Sequence, residues 1–393
     1  MGPRLAAATL AMVVASAGCS VVSATGGEPS PGDRVSSRPS PADLPSAGTS
    51  HTPGAARPKG RWRVVYRQKG LDHDARFLDI AATGEADAWA VGERPFGTDG
   101  HEALLVRWDG EHWRRVTKEL PKAARHVTLT KVDASDPGNV WVIAEDTEGG
   151  ESGLLHFDGR RWSFTPHPAS TSEEDPAGPS EVIALSGGQA WTFGDRWARH
   201  FDGRRWTSQS IPIVTHAAVA LSPRDIWAVG EADPLPDDAY AQSEPAVAHF
   251  DGRAWQRMPL PALSLPDSSM SGLSAVLAST TDEVWAVGGY DTADGTFRPL
   301  SYRWNGTAWQ AVAIEGGRLT GIARDSGGVM WVACRRFVSE GADGYRLLAG
   351  AGGRWSGVAP SAPVTAMTAL PGGKPLWAIG QNAITEYRQP GEQ

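Results

Sequence analysis

A tryptophan-bearing module that keeps returning is what most constrains this chain. Its first part reads Trp89-Ala90-Val91-Gly92 and recurs at Trp141, Trp191, Trp227, Trp285, Trp331 and Trp377, mostly as Trp, a small or β-branched residue, an aliphatic residue and Gly. Its second part recurs at Trp113, Trp162, Trp206, Trp255, Trp309 and Trp355. Seven first parts therefore stand against six second parts. The final copy stops after 383–388, and the missing piece lies at the other end, as Gly60-Arg61-Trp62-Arg63-Val64-Val65. Self-similarity of this kind marks a repeat architecture.

Within each copy, four short β-type runs alternate with turn signals. In the first copy they cover 77–82, 88–92, 103–108 and 113–117. The reading is an all-β, seven-bladed β-propeller of four-stranded antiparallel blades, closed by the N-terminal strand 60–68, which completes the last blade and removes a free sheet edge. Hairpins between third and fourth strands carry Asp-Gly at Asp109, Asp158, Asp202 and Asp251 and Asn-Gly at Asn305. These residues tolerate the positive φ of tight turns. The sixth copy has Gly350-Ala351-Gly352-Gly353 instead.

Each buried Trp removes on the order of 150 to 250 Å² from water, worth roughly 4 to 6 kcal/mol as an upper bound. The regular spacing of the tryptophans predicts a core between sheets rather than a ligand cage. His156, His200 and His249 occupy the register held elsewhere by Arg107 and Arg303, which predicts an architectural role.

The start of the chain has a different character. One charge, Arg4, precedes an apolar stretch 5–17 that is too short to span a bilayer. It ends in Ser16-Ala17-Gly18-Cys19, which resembles a bacterial lipoprotein signal. The resemblance implies a signal over 1–18 and lipidation of Cys19, hence a membrane contact through a lipid anchor at the extracytoplasmic face, or secretion if Cys19 stays unmodified. Residues 19–59 are rich in Pro, Ser and Gly and are expected to form a disordered tether. The propeller is assigned to 60–393. The other cysteine, Cys334, replaces the Gly of the repeat and is expected to pack as a small hydrophobe.

A formal net charge of −8 argues against nucleic acid as a partner. With a as the innermost strand and d the outermost, the d–a and b–c loops share one end of the blades, and long irregular loops there are the expected binding face. They cover 69–76, 93–102, 145–152, 166–179, 231–245, 289–299 and 335–344. Arg94, Phe96, Tyr290, Arg298 and Arg336, with Asp237, Asp238 and Tyr240, are the candidate ligand-binding residues. Aromatic and guanidinium groups can stack a sugar or grip a peptide. The partner is accordingly a protein or a glycan, and the chain a monomer. No motif for a metal, nucleotide or other cofactor is present.

The whole of 60–389 resembles the Trp-rich secreted bacterial seven-bladed propellers, loosely related to kelch and Asp-box repeats. Asp158-Gly159-Arg160-Arg161-Trp162 runs one residue short of the Asp-box, and only Gly288-Gly289 matches the kelch Gly doublet. The resemblance implies architecture more than activity. First strands beginning near Phe77, Val127, Glu181, Ala217, Leu273, Leu319 and Val364 supply mostly Ala, Thr, Leu and Val, which predicts a channel poorly stocked with ionisable groups. The favoured function is a non-catalytic, surface-anchored binding scaffold, with no catalytic residues assigned. The alternative is a cell-envelope carbohydrate hydrolase or lyase using Asp237 and Asp238 as acid and base.

Overall fold

The computed structural model of the chain describes residues 60–68, 74–96, 100–146, 152–166, 178–232, 243–262, 271–292, 295–339, 342–351, 354–360, 362–369 and 376–389. All of them fall in one compact unit, Gly54–Gln393. Cys19, the signal and the whole of the tether lie outside the described residues.

The described elements are almost all β. After β1 (Arg61–Arg67), the strands β2 (Arg76–Gly84), β3 (Asp87–Phe96), β4 (Gly100–Trp108) and β5 (Trp113–Arg115) form an antiparallel sheet in chain order. β6 (Thr128–Asp136), β7 (Asn139–Glu145), β8 (Gly153–Phe157) and β9 (Trp162–Pro166) repeat that order. Next come β10 (Glu181–Leu185), β11 (Gln189–Phe193), β12 (Asp195–Phe201), β13 (Trp206–Ser222), β14 (Asp225–Ala232), β15 (Glu244–Phe250) and β16 (Trp255–Met258), joined in a single sheet. They are two repeats fused through β13, whose first half pairs with β12 and whose second half pairs with β14. β17 (Ser271–Thr280), β18 (Glu283–Asp291), β19 (Phe297–Trp304) and β20 (Trp309–Ala311) form the next sheet. β21 (Arg318–Arg324), β22 (Met330–Ser339), β23 (Ala342–Ala351) and β24 (Arg354–Val358) follow.

The final sheet mixes both ends of the chain. β25 (Ala366–Ala369), β26 (Leu376–Gly380) and β27 (Ala383–Arg388) are followed outward by β1, in antiparallel register with Trp62 opposite Tyr387. Their ring centroids are 5.5 Å apart, and the Tyr387 hydroxyl accepts from the Gly60 N–H at 2.9 Å. The architecture is an all-β, propeller-like array of antiparallel sheets.

Tryptophans weld one sheet to the next. The Trp near the start of each second strand meets the Trp at the start of the fourth strand of the following repeat. Trp89 meets Trp162, Trp141 meets Trp206, Trp191 meets Trp255 and Trp227 meets Trp309, all T-shaped at centroid distances of 5.5 to 5.8 Å. Trp285 shares a cluster with Trp355. Trp331 meets Trp62 at 5.5 Å and Trp377 meets Trp113 at 5.1 Å, so chain-distant sheets are joined in the same way. Edge-to-face pairs add roughly 0.5 to 1.5 kcal/mol each beyond the area they bury.

A histidine or an arginine lies over most of these rings. His156, His200 and His249 stack on Trp141, Trp191 and Trp227 at 4.2 to 4.8 Å. Arg107 sits over Trp89 at 4.6 Å and is held by Asp87 at 2.7 Å. The histidines are anchored by Asn139, Gln189 and Asp225 on the neighbouring strand. The expected architectural role of this register therefore stands.

The Gly three residues after the Trp has a specific cause at Gly92, Gly230 and Gly288. First strands carry a one-residue bulge between Phe77 and Asp79, and again between Thr215 and Ala217 and between Leu273 and Ala275. The bulge pushes a carbonyl toward the second strand, so a Cβ on Gly92 would lie 1.9 Å from Arg76 O, and one on Gly288 2.0 Å from Gly272 O. Cys334 at the matching site is buried and accepts the Gly317 N–H at 2.9 Å, as a packed small residue would.

The Asp-Gly turns divide the work differently than expected. Only the Gly takes positive φ, for example +98° at Gly110 and +92° at Gly203. The Asp instead turns its carboxylate inward, as Asp202 Oδ1 does to accept the N–H groups of Arg204 and Arg205 at 2.8 and 2.9 Å. These two bonds hold the Asp202 carboxyl below the usual carboxylate range.

Deleting 60–68 exposes the β27 edge and removes the Trp62–Trp331 contact. The shortened chain should melt at least several degrees below the intact one and aggregate, as scanning calorimetry would read; equal melting temperatures would refute the pairing.

Candidate functional site

The first strands of the repeats converge on one cavity of about 290 Å³. Its wall takes Leu78 and Asp79 from β2, Lys131 to Asp133 from β6, Glu181 to Ile183 from β10 and Ala217 to Val219 from β13. Ser274 to Val276, Thr320 to Ile322 and Thr365 to Met367 complete it from β17, β21 and the segment entering β25.

The wall is lopsided. Asp79, Lys131, Asp133 and Glu181 put four ionisable groups on three adjacent sheets, where the remaining repeats present Ala217, Ala275, Gly321 and Ala366. This corrects the expectation of a poorly stocked channel. On β2 and β6 a one-residue bulge just before Asp79 and Lys131 resets which side chains face inward, whereas β10 brings in Glu181 with an unbroken register. A charge inside an apolar first strand was the available signal, but its direction was set by pairing.

The carboxylates are already engaged. Asp79 accepts the N–H of Ile80 at 2.9 Å and, across the seam, that of Val132 at 3.0 Å. Asp133 accepts the Ala184 N–H of the next sheet at 2.8 Å. Glu181 accepts Lys131 Nζ at 2.9 Å and the Val182 N–H at 3.0 Å. Each aspartate thus staples one sheet to its neighbour.

Burial dominates their acidity. Asp133 is pushed up to about 6 by desolvation, against the pull of the Ala184 and Ala134 N–H groups. Glu181 is pushed up to about 7 by desolvation, with Lys131 opposing and Asp79 reinforcing. Asp79 is raised by the same burial, although Lys131 and the two backbone donors oppose it. Lys131 loses hydration too, but Glu181, Asp79 and Glu145 outweigh that and raise its pKa. The ammonium reaches cavity solvent while protein surrounds it on most sides, its side chain being 31% exposed.

The residues singled out from sequence lie at the other rim. Arg94 is on β3 and forms an ion pair with Glu102, beside a buried Glu93 that accepts Thr128 Oγ1 at 2.6 Å and pairs with Arg76. Tyr290 and Arg298 are brought together as cross-strand partners, Tyr290 half-buried and Arg298 exposed. Phe96 and Arg336 are in β3 and β22, paired through the backbone with Gly100 and Gly344. Their side chains, and the whole of Asp237, Asp238 and Tyr240, lie outside the described residues.

Several expected loops are strand. Pairing continues to Phe96–Gly100 in β3–β4 and to Ser339–Ala342 in β22–β23. These ribbons satisfy their own backbone bonds, which a free loop would leave to water. Among the described residues, no group of three or more His, Cys, Asp or Glu could hold a metal ion, and no helix is long and apolar enough to cross a membrane.

No protein-family model matches this chain, and no curated protein matches it. Solved structures share its fold. YCF48 from Cyanidioschyzon merolae superposes with a TM-score of 0.51 at 16% identity, covering 83% of this chain and 98% of that one. The WD40 β-propeller domain of Doa1 gives 0.50 at 12% identity, covering 84% and 98%. The RRP9 WD40 repeats give 0.52 at 11% identity, covering 86% and 100%. At these identities the likeness shows a β-propeller fold and nothing finer.

Raised carboxyls set the sign of a pH effect. Asp133 and Glu181 hold protons more tightly when folded than when unfolded, so their contribution is full below about pH 4 and is lost as pH rises through about 6 to 7. Asp133→Asn should remove about 1 to 2 kcal/mol of the stability decline between about pH 5 and 8, read by urea melts. An unchanged slope would mean that Asp133 titrates normally.

Proposed function

We propose that the sheets close into a seven-bladed propeller that is held outside the cytoplasmic membrane by a lipid on Cys19 and acts as a non-catalytic protein- or glycan-binding scaffold. Protein is the favoured partner, given the likeness to WD40 propellers. Counting β13 twice makes seven repeats of four strands, with β1 as the outer strand of the last. Supporting the closure, Phe77 N–H donates to Gln381 O at 2.7 Å, and Thr365 Oγ1 donates to Phe77 O at 3.3 Å.

The observation that carries the non-catalytic reading is the engagement of the cavity acids. Asp79 and Asp133 are committed to amide donors of their own and the adjacent sheet, and Glu181 to Lys131. A general acid or base needs a proton free to move toward a substrate. Binding then falls to the rim ribbons, where Tyr290 and Arg298 pair an aromatic face with an exposed guanidinium. Lipidation and tether follow from Ser16-Ala17-Gly18-Cys19 and the composition of 19–59.

Two measurements test the halves separately. Labelling with a radioactive fatty-acid precursor should mark the native chain and not Cys19→Ala; equal labelling removes the anchor. Cell-envelope protein retained by the immobilised chain should be lost, by about tenfold or more, with Tyr290→Ala and Arg298→Ala together. Retention that ignores this change, or envelope carbohydrate cleaved by the native chain and not by Asp79→Asn, overturns the scaffold.

A further inference from the structure

Strand direction fixes two ends for every sheet. First strands run toward a tight turn, second strands away from it, and third strands back again. The first-to-second and third-to-fourth turns therefore share one end. Packing agrees: a Cβ on Gly159 would lie 3.1 Å from Gly138 Cα, and one on Gly252 2.8 Å from Arg224 Cβ. Trp141–Trp206 and Trp191–Trp255 align this end across three consecutive repeats.

Six arginines crowd that end: Arg160, Arg161, Arg204, Arg205, Arg224 and Arg253, all exposed. Arg161 and Arg205 have side chains 85% and 80% exposed and only long contacts, 3.8 and 3.5 Å, to Asp158 and Asp202. Among the described residues, Arg160, Arg204 and Arg224 form no ion pair, while Arg253 lies near enough to Asp251 to help lower its carboxyl. Each turn Asp points one carboxylate oxygen inward to backbone N–H groups, as Asp158 Oδ1 does to Arg160 and Arg161 at 2.9 Å. The turn end thus presents guanidinium in excess, six arginines standing against the exposed Asp136, Asp158, Asp202 and Asp251. Corresponding turns in other repeats read Asn305-Gly306-Thr307-Ala308 and Asp109-Gly110-Glu111-His112, without this excess.

The chain enters at the same end. β1 begins opposite Arg388, where β27 finishes its run toward the turns, and Gly60 hydrogen-bonds to Tyr387 there. The first described residue therefore stands at the turn end of its sheet. A face with an excess of arginine is complementary to anionic headgroups, and arginine grips phosphate bidentately. The net charge of −8 does not cancel this locally, since charges beyond about 10 Å are screened at physiological salt.

We propose that this arginine-bearing turn face docks on phosphate-bearing anionic lipid headgroups, laying the propeller on the membrane with its rim ribbons turned outward. The orientation rests on the Cys19 anchor; the affinity for lipid does not. The test therefore uses the whole chain with Cys19→Ser, which carries no acyl group. It should sediment with phosphatidylglycerol vesicles and not with phosphatidylcholine vesicles, and be released by high salt. Arg160→Glu, Arg204→Glu and Arg253→Glu together should weaken this by about a hundredfold or more, with the melting temperature unchanged. Arg67→Glu, at the far end of β1, should leave it unaltered.

Equal sedimentation with both lipids, no sedimentation with either, or a triple variant that binds like the parent each overturns the proposal. Retention of poly-glutamate but not of anionic vesicles through these arginines would make the face a protein dock and likewise sink it. Failure of Cys19 labelling with vesicle binding intact would remove the anchor and keep the lipid-binding face.

Discussion

Perpendicular tryptophans at the seams between sheets are the interaction on which the structure depends. A single four-stranded sheet cannot bury both of its faces, so each needs a neighbour. The Trp of a second strand supplies a broad ring, and the Trp opening the next sheet's fourth strand meets it at 5.5 to 5.8 Å in four of these seams. Side chains stacked on the rings, such as Arg107 and His249, hold them in place. Because the contact is the same from seam to seam, sheets far apart in sequence join as readily as consecutive ones, which is how Trp377 comes to meet Trp113.

This scaffold uses polar groups chiefly as fasteners. Asp79, Asp133 and the Asp-Gly turns all direct carboxylates at backbone N–H groups, some across a seam and some within a turn. The two settings drive acidity in opposite directions. Desolvation raises Asp133, whereas exposed Asp202 is lowered by its backbone donors. The consequence is a molecule whose interior favours mildly acidic conditions while its turns favour ionised carboxylates. Arg324 and Glu283 add a seam bond of the ordinary kind, bidentate at 2.8 Å.

Function divides between the two ends in the proposed arrangement. The turn end gathers arginines and the chain entry. The rim end carries paired ribbons with Tyr290 and Arg298, and Arg94 is already engaged by Glu102. Between them, the cavity wall is charged on three repeats and small-residue on four. That asymmetry breaks the repeat's symmetry without supplying a free acid–base pair.

The sequence by itself determined the repeat, the four-strand unit, the Gly-bearing turns and the pairing of β1 with β27. All of these follow from local period, turn chemistry and the tally of Trp modules, and Trp62 opposite Tyr387 is the outcome. It also determined that His156 and its counterparts belong to the architecture, because recurrence at one register is visible without coordinates. Tertiary structure alone decided which side chains enter the cavity and which ends of the sheets carry charge together. A one-residue bulge at Leu78 or Thr130 reverses inward and outward faces, and only pairing with the second strand reveals it. Likewise Asp133 and Ala184 are far apart in sequence, and their hydrogen bond exists only because the Trp141–Trp206 seam sets their sheets side by side.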